Sequence, residues 1–286
     1  MSAPLLAVDA PSLLYRAFFA LPDSIKDGEG NPVNALLGAT NLILQEVERH
    51  APRAVVLCFG AEAAAYRKDL LSAYHADRPE MPEALVHQWE DAADFFGGFG
   101  WEVLAHESLE ADDLLGSLAK LEADAKGHAL LFTGDRDMFQ CASEQVTVLY
   151  VRTGKSGAEE VGPDEVRKRY GIAPELVPDF IALRGDPSDG IPGAKGVGEK
   201  TAAELLREHG SLEAILESAV RERRPALRKT LVSSASELRS YKDIATLRDA
   251  GLELPKDAPT DHPGAAAAAR KRGMNRLAER LEKLAG

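Results

Sequence analysis

The chain has 286 residues, of which 45% are apolar and 28% are charged, and its formal net charge at pH 7 is −12. This is the composition of a globular protein and excludes collagen-like and intrinsically disordered classes. No apolar run reaches the ~18 residues of a membrane span and no secretory signal is visible, so we expect a cytoplasmic protein without a membrane partner.

Five short apolar runs in the first half of the chain predict β-strands buried on both faces. These runs cover residues 5–8, 54–59, 101–104, 129–132 and 146–151. Helical patterns separate most of them, for example at 34–49, 82–96 and 111–125. Strands that alternate with helices predict a parallel sheet with helices on its faces, hence an α/β fold. The glycines within residues 153–157 indicate the turn of a hairpin at the sheet edge.

Beyond about residue 163 the pattern becomes helical. Helices are expected at 163–170, 174–183, 200–208, 211–219 and from 225 onward, with a basic helical segment at 265–284. Net charge also changes, from −16 over residues 1–190 to +4 over 191–286. Together these shifts predict an α/β domain over residues 1–165 and an α-helical domain over 166–286, each with its own task.

Eight carboxylates follow predicted strands or enter the helical half. They are Asp9, Glu110, Asp112, Asp113, Asp135, Asp137, Asp186 and Asp189. In an open parallel sheet the carboxyl ends of the strands form one edge, where sites are built. A single Asp at a helix start is as readily an N-cap as a ligand. Four acidic segments at one edge instead indicate a site that needs a compensating cation.

Oxygen ligands favour Mg²⁺ or Mn²⁺, and structural calcium is a weaker alternative. No His or Cys repeat has the spacing of a zinc site. The sequence also lacks a P-loop, because Glu199 stands where the lysine should follow Gly198. Two ions ~3.5–4 Å apart suit phosphodiester hydrolysis, and no Ser-His-Asp or Cys-His grouping offers another chemistry.

Residues 191–202 carry closely spaced glycines that lead into a predicted helix. This is a helix-hairpin-helix pattern, in which the backbone N–H groups of a helix start bind phosphate without reading base sequence. The residues expected to contact DNA there are Gly193, Lys195, Gly196, Gly198, Lys200 and Thr201. A plain glycine-rich linker is the alternative.

Taken together, these motifs resemble the bacterial 5′-nuclease family, the 5′→3′ exonuclease and flap endonuclease domain of DNA polymerase I and its standalone relatives. The resemblance rests on Asp9 with residues 15–21, on residues 110–113, on 133–137 and on 185–193 running into the hairpin. It implies a PIN-like parallel sheet flanked by helices, a helical arch at about 61–96 and a helix-hairpin-helix module at about 185–208.

The resemblance also implies a set of site residues. Asp9, Glu110 and Asp112 would serve one divalent ion, and Asp135, Asp137 and Asp189 a second, with Asp113 and Asp186 in support. Tyr15, Arg16, Arg67, His75 and Arg78 would contact DNA, with Arg67 also catalytic. Backbone carbonyls of Gly193, Lys195 and Val197 would hold K⁺. The implied protein is a monomer in the bacterial nucleoid that acts on duplex DNA with a 5′ flap or a single-stranded 5′ end.

Two positions depart from the family pattern. Gly60 follows the second strand where the family has an aspartate, and His75 stands where the arch has a lysine. We expect Gly60→Asp to restore a carboxylate and lower the metal requirement, unless Gly60 is a turn glycine with positive φ. The rival functions are a DNA-junction binder with a decayed metal site and, less favoured, a PIN-type ribonuclease.

Overall fold

Six strands form one mixed sheet in the computed structural model, which describes residues 3–152 and 157–285. The strands are β1 (Leu5–Asp9), β2 (Ala54–Phe59), β3 (Glu102–Ala105), β4 (Ala129–Thr133), β5 (Val146–Val151) and β6 (Ala158–Val161). Their order across the sheet is β3-β2-β1-β4-β5-β6. The first five run parallel, and β6 pairs antiparallel with β5 at one edge.

The register of the sheet decides where the acidic residues meet. Val8 of β1 pairs with Leu57 of β2 on one side and with Phe132 of β4 on the other. Thus Asp9 and Thr133 end neighbouring strands at the same edge. From β1 the chain first adds β2 and β3 on one side of the sheet, and then β4 and β5 on the other side of β1. The strand order therefore reverses between β1 and β4, and such a reversal leaves a crevice at the carboxyl ends of the strands.

Thirteen α-helices accompany the sheet among the described residues. They are α1 (Ala10–Ala20), α2 (Asn34–His50), α3 (Ala65–Leu70), α4 (Glu83–Gly97), α5 (Ala111–Asp124), α6 (Pro163–Tyr170), α7 (Val177–Arg184), α8 (Glu199–His209), α9 (Leu212–Ser218), α10 (Pro225–Ser233), α11 (Ala235–Ala245), α12 (His262–Lys271) and α13 (Asn275–Leu284). Short 3-10 helices lie at Asp137–Cys141, Pro174–Leu176 and Ala219–Arg221. None of the described helices is long and apolar enough to cross a membrane.

Each face of the sheet has its own hydrophobic cluster. One cluster joins alternate β1 residues such as Leu5 to α5, α7, α8 and α11. The other joins Leu6 and Val8 to α1, α2 and α4, and also to α12 and α13 at the far end of the chain. The last two helices therefore pack with the amino-terminal half, while the domain division at residue 165 stays a prediction.

The predicted α/β fold is confirmed, and the structure refines several boundaries. Segment 174–183 begins with a 3-10 turn before α7, and segment 265–284 is divided at residues 272–274. Gly273 has a φ of 69°, a conformation that ends a helix readily. The predicted hairpin joins β5 to β6, but its turn at 153–156 lies outside the described residues.

Candidate active site

A cleft of about 1680 Å³ opens at the carboxyl ends of β1 and β4. Seven of the eight predicted carboxylates line it: Asp9, Glu110, Asp112, Asp135, Asp137, Asp186 and Asp189. Tyr15, Arg16, His75 and Arg78 line it as well. Residues that are far apart in sequence thus meet, because parallel strands and the helices that follow them end at one edge.

Asp9 and Thr133 connect the ends of the two central strands. Asp9 caps α1, since its Oδ1 accepts a hydrogen bond of 3.0 Å from the backbone N–H of Ser12. The Thr133 hydroxyl donates to Asp9 Oδ2 at 2.6 Å and accepts from the backbone N–H of Asp135 at 2.9 Å. Asp9 therefore caps α1 and lines the cleft at the same time. Thr133 sets the position of Asp135.

Asp9, Asp112, Asp135 and Asp137 form what we call the open cluster. The pKa of each is raised, first by burial in the cleft. Negative charge adds to this, because Asp135 raises the pKa of both Asp112 and Asp137, and Asp135 itself has a pKa of about 7. The described residues include no salt bridge to any of the four. Crowded carboxylates without a cation favour the neutral form.

Arg67, Tyr74, Glu110 and Asp113 form what we call the paired cluster. The Arg67 guanidinium lies 2.6 Å from Glu110 Oε2 and 3.1 Å from Asp113 Oδ1. The Tyr74 hydroxyl donates to Glu110 Oε2 at 3.0 Å, and the backbone N–H of Ala64 donates to Oε1 at 2.7 Å. Burial, followed by repulsion from neighbouring carboxylates, raises the pKa of Tyr74 above its ordinary value despite Arg67. Here the protein itself supplies the positive charge.

Apart from the hairpin residues, two predicted site residues do not line the cleft. Arg67 is 3% exposed and is engaged by Glu110 and Asp113. Asp113 is fully buried and accepts from the backbone N–H of Glu110 at 3.1 Å and of Arg248 at 2.9 Å. The structure thus gives both residues a role inside the protein, fixing the start of α5 and the segment near Arg248.

Gly60 lies against the first residues of α5. A Cβ built at position 60 would come within 2.4 Å of the backbone N of Ala111 and 2.6 Å of Glu110 Cα. Backbone atoms of a packed helix cannot move aside as a flexible side chain can, so a larger residue would displace α5. These contacts oppose the expectation that Gly60→Asp restores a metal carboxylate, and its effect on the metal requirement stays a prediction. The alternative of a turn glycine with positive φ is wrong, because Gly60 is not among the glycines with positive φ.

The Asp186–Ile191 loop brings the last two carboxylates to the cleft. Asp186 accepts from Arg184 at 2.9 Å and from the backbone N–H of Ser188 at 2.9 Å. Asp189 Oδ1 lies 3.0 Å from His75 Nε2 and 3.8 Å from Arg78 Nη2. Charge from Asp189 contributes to the raised pKa of Asp135 and Asp137, which places it beside the open cluster.

The donor set fits hard divalent ions. Every open-cluster ligand is a carboxylate, and none of the four forms a salt bridge among the described residues. Arg67 and Arg78 lower the pKa of Asp112 and Asp9, but the pKa of both stays raised, which is the situation a bound cation relieves. Within residues 3–152 and 157–285, no three His, Cys, Asp or Glu side chains already stand in an arrangement that could hold one metal ion. Coordination would therefore use side-chain rotation or intervening water, both usual for Mg²⁺, which retains several of its waters.

The glycine hairpin forms a turn before α8, as predicted. Gly193 and Gly196 have φ of 68° and 81°, and the residue after each of them, Ala194 and Val197, packs into the core. Lys195 and Lys200 are exposed, and the first intrahelical bond runs from Ala202 N–H to Gly198 O at 2.9 Å. The earlier N–H groups of α8 therefore precede the helical hydrogen-bond ladder. The Lys195 carbonyl accepts from the Thr230 hydroxyl at 3.3 Å, which joins α10 to the hairpin.

Thr133, Tyr74 and Arg184 are site residues that sequence reasoning missed. Thr133 was detectable as the only polar residue between the apolar run at 129–132 and the Gly134 turn. Tyr74 adjoins His75, but its contact with Glu110 crosses 36 residues and has no local signal. Long-range partners of this kind appear only when the chain is folded.

Two family models together match most of the chain. One is described as the 5′-3′ exonuclease, N-terminal resolvase-like domain, and matches residues 4–171. The other is described as the 5′-3′ exonuclease, C-terminal SAM fold, and matches residues 172–262. The junction of the two matches falls directly after α6.

Similar proteins were found among curated sequences and solved structures. The chain is 34% identical to a 5′-3′ exonuclease of Mycobacterium tuberculosis, over 91% of this chain and 86% of that protein. It is 38% identical to DNA polymerase I of Mycobacterium bovis, but spans only 28% of that protein's length. The bacteriophage T5 flap endonuclease, solved with DNA and metal ions, superposes with a TM-score of 0.70 at 19% identity, covering 99% of each chain. That likeness shows the fold.

Proposed function

Because the chain belongs to the 5′-3′ exonuclease family, we propose that it is a metal-dependent nuclease that hydrolyses phosphodiester bonds at 5′ ends and 5′ flaps of DNA. The observation that carries this proposal is the open cluster. Four carboxylates with raised pKa, none of which forms a salt bridge among the described residues, line a cleft at the strand-order reversal. Such a site suits divalent cations and their phosphate ligands.

The proposed ligands are the side chains that line the cleft. Asp9 and Asp112 would serve one Mg²⁺ or Mn²⁺ ion and Asp135, Asp137 and Asp189 a second, with Asp186 in support. Glu110 belongs to the paired cluster, so we place it behind Asp112 as a support for the start of α5. When bound, the divalent ions would polarise the scissile phosphate and promote ionisation of the attacking water.

The chain's own residues would position the substrate. Tyr15 and Arg16 lie on α1 at the wall of the cleft, and Arg78 is about half exposed above Asp189. Arg16 donates to the Val151 carbonyl at 3.2 Å, which directs its side chain along the end of β5. These residues surround the carboxylates with the positive charge and aromatic surface that a nucleic-acid strand requires.

The hairpin would hold duplex DNA away from the cleft. The N–H groups that precede the hydrogen-bond ladder of α8, with Lys195, Lys200 and Thr201, suit phosphate oxygens. K⁺ on the carbonyls of Gly193, Lys195 and Val197 remains part of the proposal, and the Thr230 hydroxyl already occupies one side of the Lys195 carbonyl. We further propose that the protein acts as a monomer in the bacterial nucleoid.

A labelled duplex with a 5′ flap, incubated with Mn²⁺ or Mg²⁺, tests the proposal. We expect cleavage near the junction and products with 5′-phosphate ends, abolished by EDTA. Binding should weaken steeply and equally for all base sequences as salt rises, since phosphate contacts release counterions. A protein that binds the flap but leaves it intact with either metal would refute the nuclease assignment.

A DNA-junction binder without catalysis is the second candidate. Two observations favour it, namely that Gly60 leaves no room for a carboxylate and that Glu110 is already neutralised by Arg67. A binder of this kind would bind the flap duplex fully in EDTA and would not cleave it at any Mn²⁺ concentration. The same labelled duplex separates the two functions, because only the nuclease converts the substrate.

A further inference from the structure

His75 lies where two distant segments of the chain meet. Its ring nitrogen Nε2 is 3.0 Å from Asp189 Oδ1, and its backbone N–H donates to the Asp189 carbonyl at 3.3 Å. The neighbouring backbone is equally close, because a Cβ built at Gly190 would lie 2.7 Å from the Ala73 carbonyl oxygen. Segment 71–78 is thus in direct contact with the Asp186–Ile191 loop.

Several further contacts fix the His75 side chain. Its Nδ1 is 3.2 Å from the Glu62 carbonyl oxygen, and its ring stacks on Tyr74 with centroids 3.9 Å apart. Only 4% of the side chain is exposed. The backbone φ is 53°, a conformation that residues with a Cβ rarely adopt and that persists where the surroundings impose it. The contacts with Asp189 and Glu62 therefore accompany a backbone conformation that the surrounding structure imposes.

We propose that His75 is a positioning residue that holds Asp189 beside the open cluster, and does not itself contact the DNA phosphate. The proposal rests on the proposed function, since it assigns His75 a task in the same site. Both ring nitrogens are engaged and the ring is covered, which leaves no donor for a phosphate. Arg78, 46% exposed and close to Asp189, is a cation at the cleft that could contact a phosphate instead.

The consequence concerns the carboxylate geometry. Asp189 Oδ1 is directed by the ring of His75, while Oδ2 has no hydrogen-bond donor among the residues that the structure describes. Partners that orient a metal-ligating group typically change metal affinity 10–100-fold when removed. Loss of the His75 ring should therefore weaken the metal site even though the ring itself touches no metal.

Three substitutions at position 75 separate the contacts. His75→Asn retains a donor at the Nδ1 position and tolerates positive φ, but cannot reach Asp189. His75→Gln retains a donor near the Nε2 position and so can still reach Asp189. His75→Ala removes the donors at both ring-nitrogen positions. His87→Gln, at an exposed position of α4, is the matched control.

The first readout needs neither metal nor DNA. In EDTA, amide hydrogen exchange of residues 186–191 should quicken about tenfold in His75→Asn and His75→Ala, and much less in His75→Gln. The second readout is the affinity for Mn²⁺, measured by electron paramagnetic resonance. This affinity should fall about tenfold in His75→Asn and His75→Ala and stay close to normal in His75→Gln. Unchanged exchange and unchanged Mn²⁺ affinity in His75→Asn would overturn the proposal.

Kinetics distinguish positioning from phosphate contact. We expect His75→Asn to raise the Mn²⁺ concentration needed for cleavage while KM for the flap duplex at saturating Mn²⁺ stays within twofold. A raised KM with normal Mn²⁺ affinity would instead show that His75 contacts the phosphate. If the unmodified protein cleaves no flap at all, the proposed function fails, and the exchange experiment still decides whether His75 holds Asp189.

Discussion

The open cluster and the paired cluster lie at the same edge of the sheet yet carry opposite electrostatic states. Asp135 in the open cluster has a pKa of about 7, because burial and other carboxylates disfavour its charge. Glu110 and Asp113 in the paired cluster are held by Arg67, Tyr74 and backbone N–H groups. The comparison shows that acidic residues at one sheet edge can differ in whether the fold supplies a buried salt bridge, and those without one are the stronger candidates for metal ligands.

The largest expected effect tests the open cluster. Asp137→Ala removes a carboxylate beside Asp135, so metal-dependent cleavage should fall below a tenth of the unmodified rate while flap binding in EDTA is retained. Single-turnover kinetics on the labelled flap measure the first quantity and filter binding the second. Asp164→Ala, on the fully exposed start of α6, is the control and should leave both unchanged. Cleavage above a tenth of normal would exclude Asp137 as a ligand.

The next effect tests the paired cluster. Arg67→Met leaves Glu110 and Asp113 buried without their cation, so we expect a loss of about 3–5 kcal/mol in the free energy of unfolding. Arg49→Met breaks the exposed pair with Glu160 and should cost less than about 1 kcal/mol. Urea denaturation followed by circular dichroism measures both. Equal losses in the two variants would show that Arg67 is not the compensating charge.

A smaller effect tests the boundary between the clusters. Gly60→Ala forces a methyl group against Ala111 and Glu110, and such overpacking costs about 1–3 kcal/mol. Gly97→Ala, at the end of α4 where a Cβ meets nothing within 4 Å, should be neutral or slightly stabilising. Thermal unfolding compares the two. A Gly60→Ala variant as stable as Gly97→Ala would mean that α5 lies further from β2 than the structure shows.

The smallest expected effect is the pH dependence of the open cluster. The folded-state pKa of Asp135 is about 7 against 3.8 for an ordinary aspartate, so the folded form binds more protons between these values. Metal-free stability should therefore fall as pH rises from 5.5 to 8. Denaturation in EDTA at several pH values measures this slope, and Asp135→Asn should flatten it. Added Mn²⁺ should stabilise the protein more at pH 8 than at 5.5, because it binds carboxylates that have lost their protons.

Part of this site was predictable because its signals are local. The predicted strands at 54–59 and 146–151 match the observed strands, and each of the other three predicted strands ends within one residue of the observed end. Parallel strands place their carboxyl ends together, so Asp9 and Asp135 had to meet. The resemblance to the 5′-nuclease family is confirmed by the family models and the relatives.

The sequence by itself therefore determined the sheet, the edge that carries the acids and the family. Only the tertiary structure decided which acids remain without a cation. Arg67 contacts Glu110 across 43 positions of the chain, and His75 contacts Asp189 across 114. At position 60 a Cβ would meet the backbone N of Ala111, so only glycine fits there without a shift of α5. Apolar periodicity acts over a few residues and is visible in the chain, whereas charge compensation and close packing depend on distances in space.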